Sequence, residues 1–104
     1  MSLEFLVQFD VNIPSGTPAG EVDDRFQADT QASAGLADQG VLVRLWKLPT
    51  PTGETKLIGL YRTETDLELD ECMHSLPLAP WMHISVTQLE SHSDDPEVAP
   101  TTRG

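Results

Sequence analysis

Three histidines, an arginine–tryptophan pair and a proline-stiffened apolar run are the groups in this chain best suited to chemistry. Histidine is the side chain whose ordinary titration falls near neutrality, so His74, His83 and His92 are candidates to carry a proton. Their spacing matches no metal-ligand motif, so no metal is expected. His74 closes a helical pattern, where positive charge is favoured, and that position alone accounts for it. His83 opens the last strand pattern and His92 lies just past it, which makes either a candidate proton shuttle. Cys72 is the single cysteine, so there is no internal disulfide, and its helical setting suggests a buried thiol rather than a nucleophile. There is no Gly-rich phosphate loop, no defensible Ser-His-Asp order and no paired-cysteine motif. What remains is proton transfer on, or simple binding of, a small organic molecule.

The elements that must position these groups follow from periodicity. Leu3, Phe5, Val7, Phe9 and Val11 alternate with Glu4, Leu6, Gln8 and Asp10, giving a strand with one strongly apolar face. Thr17 before Pro18 reads as a helix start, with a side-chain cap and proline at the first helical position. The helix then runs from about Pro18 to Gln39 on a stripe of Val22, Phe26, Ser33, Leu36 and Ala37, and Gly40 is a left-handed stop. Val41–Leu48 is the strongest strand pattern, and Thr55–Arg62 pairs with it across a loop marked by Pro49, Pro51 and Gly53. Thr65 and Glu68 form a capping box for a second helix whose apolar stripe is Leu69, Cys72, Met73 and Leu76.

The run Leu76–Ile84 carries Pro77 and Pro80 among apolar neighbours. Two prolines so close forbid helix and central strand, so the segment is a stiff connection that packs against something. A strand follows at about Met82–Leu89. The order β-α-β-β-α-β is the ferredoxin-like plan: an α+β fold with a four-stranded antiparallel sheet and two helices on one face. Phe5, Val7, Phe9, Val43 and Leu45 then lie under the helices, while Leu6, Gln8, Arg44 and Trp46 point away. That outer face suits a second sheet packing across it with a small cavity between.

At 104 residues the chain supports one domain, residues 1–90, with a polar tail over 91–104 that would pack on a neighbouring subunit. The formal charge of −11 opposes binding to nucleic acid or to an anionic membrane. No apolar run approaches the length of a membrane span and no basic-then-apolar leader is present, which favours a cytoplasmic protein.

Gly40-Val-Leu-Val-Arg-Leu-Trp-Lys47, Leu76-Pro-Leu-Ala-Pro-Trp-Met82 and the strand ending Val86-Thr-Gln-Leu-Glu-Ser-His92 together resemble the muconolactone Δ-isomerase family, as do the opening Phe5-Leu-Val-Gln-Phe-Asp-Val11 and Pro14. The resemblance covers about residues 3–96. It implies a ferredoxin-like fold with dimeric α+β barrel type packing inside a larger homo-oligomer, a decamer in the family's known members. It also implies cofactor-free conversion of muconolactone to 3-oxoadipate enol-lactone in the catechol branch of the β-ketoadipate pathway. That reaction needs a base, a donor for the developing oxyanion and a cation for the substrate's acetate arm.

On this reading Asp29 or His83 carries the proton, Arg44 and Lys47 clamp the carboxylate, and Trp46 and Trp81 wall the pocket. The chain departs from the family pattern in three places. Asp29 stands where Glu is usual, eleven residues before Gly40; Ala32 or Ser33 stands where Arg is common; and Asp70 replaces a common histidine. Other readings of the same scaffold are a related lactone isomerase or dehalogenase, a small monooxygenase, and a non-catalytic oligomer that binds a small molecule.

Overall fold

The computed structural model describes residues 2–96. The elements are β1 (Leu3–Val11), α1 (Ala19–Asp38), β2 (Leu42–Lys47), β3 (Thr55–Thr63), α2 (Asp66–His74), one 3-10 turn (Ala79–Trp81) and β4 (Met82–Leu89). The sheet order is β2-β3-β1-β4, with every neighbouring pair antiparallel. This is the ferredoxin-like arrangement expected from the element order.

The alternation in β1 sets the core. Phe5, Val7 and Phe9 are almost fully buried, and their neighbours across the ladder on β3 are Tyr61, Gly59 and Leu57. Leu69, Met73 and Leu76 close over them from α2 and its exit, so both halves of the chain share one cluster. Each fully buried side chain of this kind contributes on the order of 1.5–3 kcal/mol.

The two helices are held differently. Thr65 caps α2 by accepting the Glu68 N–H at 3.1 Å, and the Glu68 carboxylate accepts the Glu64 N–H at 3.3 Å. α1 starts without a side-chain cap, and Pro18 rather than Thr17 is its N-cap. The Thr17 hydroxyl is used elsewhere: it donates to the Pro14 carbonyl at 2.6 Å and closes the turn before the helix. At the other end Gly40 adopts φ +78° as expected. The Gly40 N–H donates to the Ala37 carbonyl and the Val41 N–H to the Leu36 carbonyl, the paired bonds of a Schellman stop.

No residue of α1 is fully buried. The half-covered stripe is Val22, Arg25, Phe26, Asp29, Ala32, Ser33 and Leu36, at helical spacing. Ala37, expected on the stripe, is exposed, and the polar residues Arg25 and Asp29 occupy its centre. In β2 an irregularity between Leu42 and Arg44 inserts Val43 as an extra residue. Val43 is therefore exposed rather than covered, and Leu42 packs against the core in its place. The bulge leaves Leu45 on the helix side and Arg44 and Trp46 on the open side.

Candidate active site

α1 reaches across to the proline connection with two side chains one turn apart. The Arg25 Nη1 donates to the Pro77 carbonyl at 2.9 Å, and the Asp29 Oδ1 accepts the Leu78 N–H at 3.2 Å. These two groups belong to one peptide unit, so α1 holds it at both ends. Arg25 also lies 4.7 Å from the centre of the Trp81 ring. Trp81 is buried, its N–H donates to the Leu78 carbonyl at 2.8 Å, and its carbonyl accepts the Asn12 N–H at 2.6 Å. The stiffness expected of the Leu76–Ile84 run is thus supplied by prolines, by a 3-10 turn and by this grip from α1.

Asp29 has a second environment. Beyond its bond to Leu78 it faces a small crevice of about 20 Å³ lined by Phe9, Ser33, Leu45, Leu57, Tyr61 and Met82, with Leu76 alongside. Burial among these groups raises the carboxyl above its ordinary value of 3.8, and the Leu78 N–H pulls it only part of the way back. A carboxyl tuned upward in this way is a better base for a carbon-bound proton than an exposed one. Tyr61, under the same helix, is held as a neutral phenol. Burial is the main cause, the Asp29 charge adds to it and Cys72 adds less, and together they push its pKa to about 12. A neutral phenol can donate a hydrogen bond to a developing oxyanion.

Tyr61 can lie along the strand because Gly59, two residues earlier on the same face, has no side chain. A Cβ there would meet Tyr61 Cε1 at 2.5 Å and Leu45 Cδ1 at 3.3 Å. Cys72 is half-buried, and burial followed by the charges of Glu68 and Glu71 raises its pKa, which keeps the thiol protonated and unreactive.

The six candidate residues fall on two sides of one sheet. Asp29 and Trp81 lie on the helix side. Lys47 pairs with Leu57, a wall of the Asp29 crevice, so it shares that side at the end of β2. Arg44 pairs with Leu60 and Trp46 with Ile58, both on the open side, and the Arg44 guanidinium lies 5.0 Å from the Trp46 ring centre. His83 stands opposite Asp10 on the same open side, at the edge strand β4. One chain therefore brings Asp29, Lys47 and Trp81 to one face and Arg44, Trp46 and His83 to the other.

Tyr61, Arg25 and Met82 were not singled out from the sequence. The Gly59-x-Tyr61 spacing on a central strand was a usable signal for Tyr61. Arg25 had one too: it sits four residues before Asp29, on the same helix face. Among the described residues no group of three His, Cys, Asp or Glu side chains converges as a metal site would. No helix among them is long and apolar enough to cross a membrane.

Residues 3–95 match the family model described as muconolactone delta-isomerase. The chain belongs to that family. It is 36% identical over 89 residues to muconolactone Delta-isomerase 1 of Acinetobacter lwoffii, covering 85% of this chain and 88% of the relative. It is 30% identical over 88 residues to the muconolactone Delta-isomerase of Acinetobacter baylyi, covering 85% and 88%. Among solved structures, a crystal structure of muconolactone isomerase superimposes with a TM-score of 0.77 at 20% identity, over 88% of this chain and 93% of that one. The family's domain thus extends from β1 past the end of β4, and the Asp29 crevice lies wholly inside it.

Proposed function

We propose that this protein is a muconolactone Δ-isomerase that converts muconolactone to 3-oxoadipate enol-lactone by cofactor-free proton transfer. The observation that carries the reading is Asp29: a half-buried carboxyl, raised by desolvation, placed by α1 over an apolar crevice in a chain that matches the family along nearly its whole length.

In the reaction the Asp29 carboxylate takes the proton from the ring carbon that bears the acetate arm. The electron pair moves into the ring and the old double bond shifts onto the lactone carbonyl, giving a dienolate. Tyr61, the neutral phenol of the same crevice, is the donor for that oxygen. Asp29 returns the proton to the carbon next to the carbonyl, so the double bond has moved and no atom is gained or lost. Lys47, on the Asp29 side of the sheet, is the cation for the acetate arm, and Trp81 holds the backbone of the pocket wall.

Arg44 and Trp46 stand on the opposite face, so in one chain they cannot touch the same small lactone, and His83 projects at the margin of that face from the edge strand. Their proposed place is at the contact with a second sheet, in a homo-oligomer of the decameric kind that the family resemblance implies. There Arg44 can still serve a neighbour's substrate, and His83 a neighbour's proton transfer. The tail over 91–104 would pack on such a neighbour; residues 97–104 of it lie outside the described residues. The protein would act in the cytoplasm, in catechol breakdown through the β-ketoadipate pathway.

The direct experiment is to incubate the purified chain with muconolactone and follow the product by proton NMR. Appearance of the enol-lactone supports the reading; in D2O, deuterium enters only at the carbon next to the carbonyl, to the extent that the Asp29 carboxyl exchanges its proton with solvent before returning it. Recovery of unchanged muconolactone with no deuterium uptake removes it.

A further inference from the structure

The crevice at Asp29 has room for about one water and none for a lactone ring. The nearby groove between α2 and β4 has the opposite character. Its volume is about 840 Å³, within the usual range of roughly 300–1,000 Å³ for small-molecule sites. Phe5, Leu69, Met73, Ile84 and Val86 give it an apolar lining, and Val86 is half exposed although it lies on the helix side of the sheet. α2 is only nine residues long and leaves this part of the edge strand uncovered.

One residue, Met82, lines both spaces. Its backbone is fixed on either side. Trp81 before it is gripped by Arg25 and by Asn12, and Met82 itself pairs with Val11 in the ladder. Only the side chain is left to move, and methionine is unbranched with three rotatable bonds. Its polar margin is Asp66, Asp70 and His74, with His83 at the start of the edge strand, and Asp70 stands 3.6 Å from His74.

We infer that the α2–β4 groove receives the carboxylated lactone and that the Met82 side chain is the movable wall through which the lactone reaches Asp29. The inference deepens the isomerase reading and rests on it for the ligand's chemistry. Met82 neither gives nor takes a proton; it sets which ring reaches the carboxyl and how fast.

The test uses the full chain as wild type, Met82→Ala and Met82→Ile, with Met82→Leu as a volume-conserving control for folding. The probe is the saturated lactone acetate, which has no ring double bond to move, added to isotopically labelled protein. In the wild type its binding shifts the Ile84 and Val86 methyl signals and the Asp29 carboxyl signal together. In Met82→Ile, stiffened at the branched carbon, the methyl shifts persist and the Asp29 shift is lost. With muconolactone as substrate that variant loses about tenfold in kcat while KM stays within about threefold. Met82→Ala keeps both sets of shifts and accepts a bulkier ring-substituted lactone.

If the probe moves Asp29 but not the groove methyls, or moves neither, the inference is overturned. The same holds if the groove methyls are already covered by a second copy of the chain, seen as intermolecular contacts in a mixed-label sample. A wild type that shifts both sets with the saturated lactone yet leaves muconolactone unchanged retires the isomerase reading and leaves the groove assignment standing.

Discussion

The two faces of this sheet are built from the same four strands, each with three of the six candidate residues, yet one face draws Asp29 and Trp81 away from water and the other leaves Arg44, Trp46 and His83 in it. On the helix side Asp29 and Tyr61 are removed from water, and both are shifted toward their neutral forms. On the open side Arg44 and Trp46 stack on each other in contact with solvent, with Trp46 40% exposed. The helices do more than cover a core: by excluding water they raise the Asp29 carboxyl above its ordinary value, as its proposed role as base requires. The open face, apolar at Leu6, Ile58 and Leu60 and polar at its margins, is the surface proposed above for the contact with a second sheet.

The sharpest way to break this contrast is to exchange the key group on each side. Asp29→Asn keeps an acceptor for the Leu78 N–H but cannot take a proton, so muconolactone turnover should fall by at least about a hundredfold. Its stability moves the other way. The folded-state pKa of Asp29 is raised, so its contribution is fully present below 3.8 and is lost as pH rises through the folded value. At neutral pH the asparagine variant should therefore melt no lower than wild type, and its advantage should vanish on acidification below 3.8. Thermal melts across pH check this.

Trp46→Lys on the open face should leave the Asp29 crevice intact and reduce the sedimenting mass, by placing a charge where a second sheet would pack. An unchanged mass would remove association from the open face. Gly59→Ala forces the Tyr61 ring or Leu45 aside and should cost about 1–3 kcal/mol in a urea melt. Thr65→Ala removes one cap bond from the start of α2 and should cost about 1 kcal/mol in a urea melt, with a smaller effect on turnover than any change at Asp29.

The element order, the sheet arrangement, the cap at Thr65 and the stop at Gly40 were legible because each depends on residues close in sequence. The start of α1 was less so. Whether Thr17 caps the helix or closes the preceding turn depends on where its hydroxyl finds an acceptor, and Pro14 supplied one. The bulge at Val43 was hidden for a similar reason, since strand alternation alone cannot reveal an inserted residue. At the candidate site, Asp29 was legible only through the family resemblance. Arg25, Tyr61 and Met82 depend on contacts between segments far apart in sequence, such as the 52 residues that separate Arg25 from Pro77. The division of the six candidates between two faces follows from register, which became readable only once the strands were paired.

The pH dependence of kcat/KM for muconolactone, measured on wild type beside Asp29→Asn, tests the central claim most directly. That quantity reports the pKa of the free enzyme's base. The account predicts an acid limb with its midpoint above 3.8 in the wild type, where desolvation holds the Asp29 carboxyl, and near-complete loss of rate at every pH in the variant. A variant that keeps the wild-type rate, or a wild-type rate that does not change as pH falls toward 3.8, would contradict it.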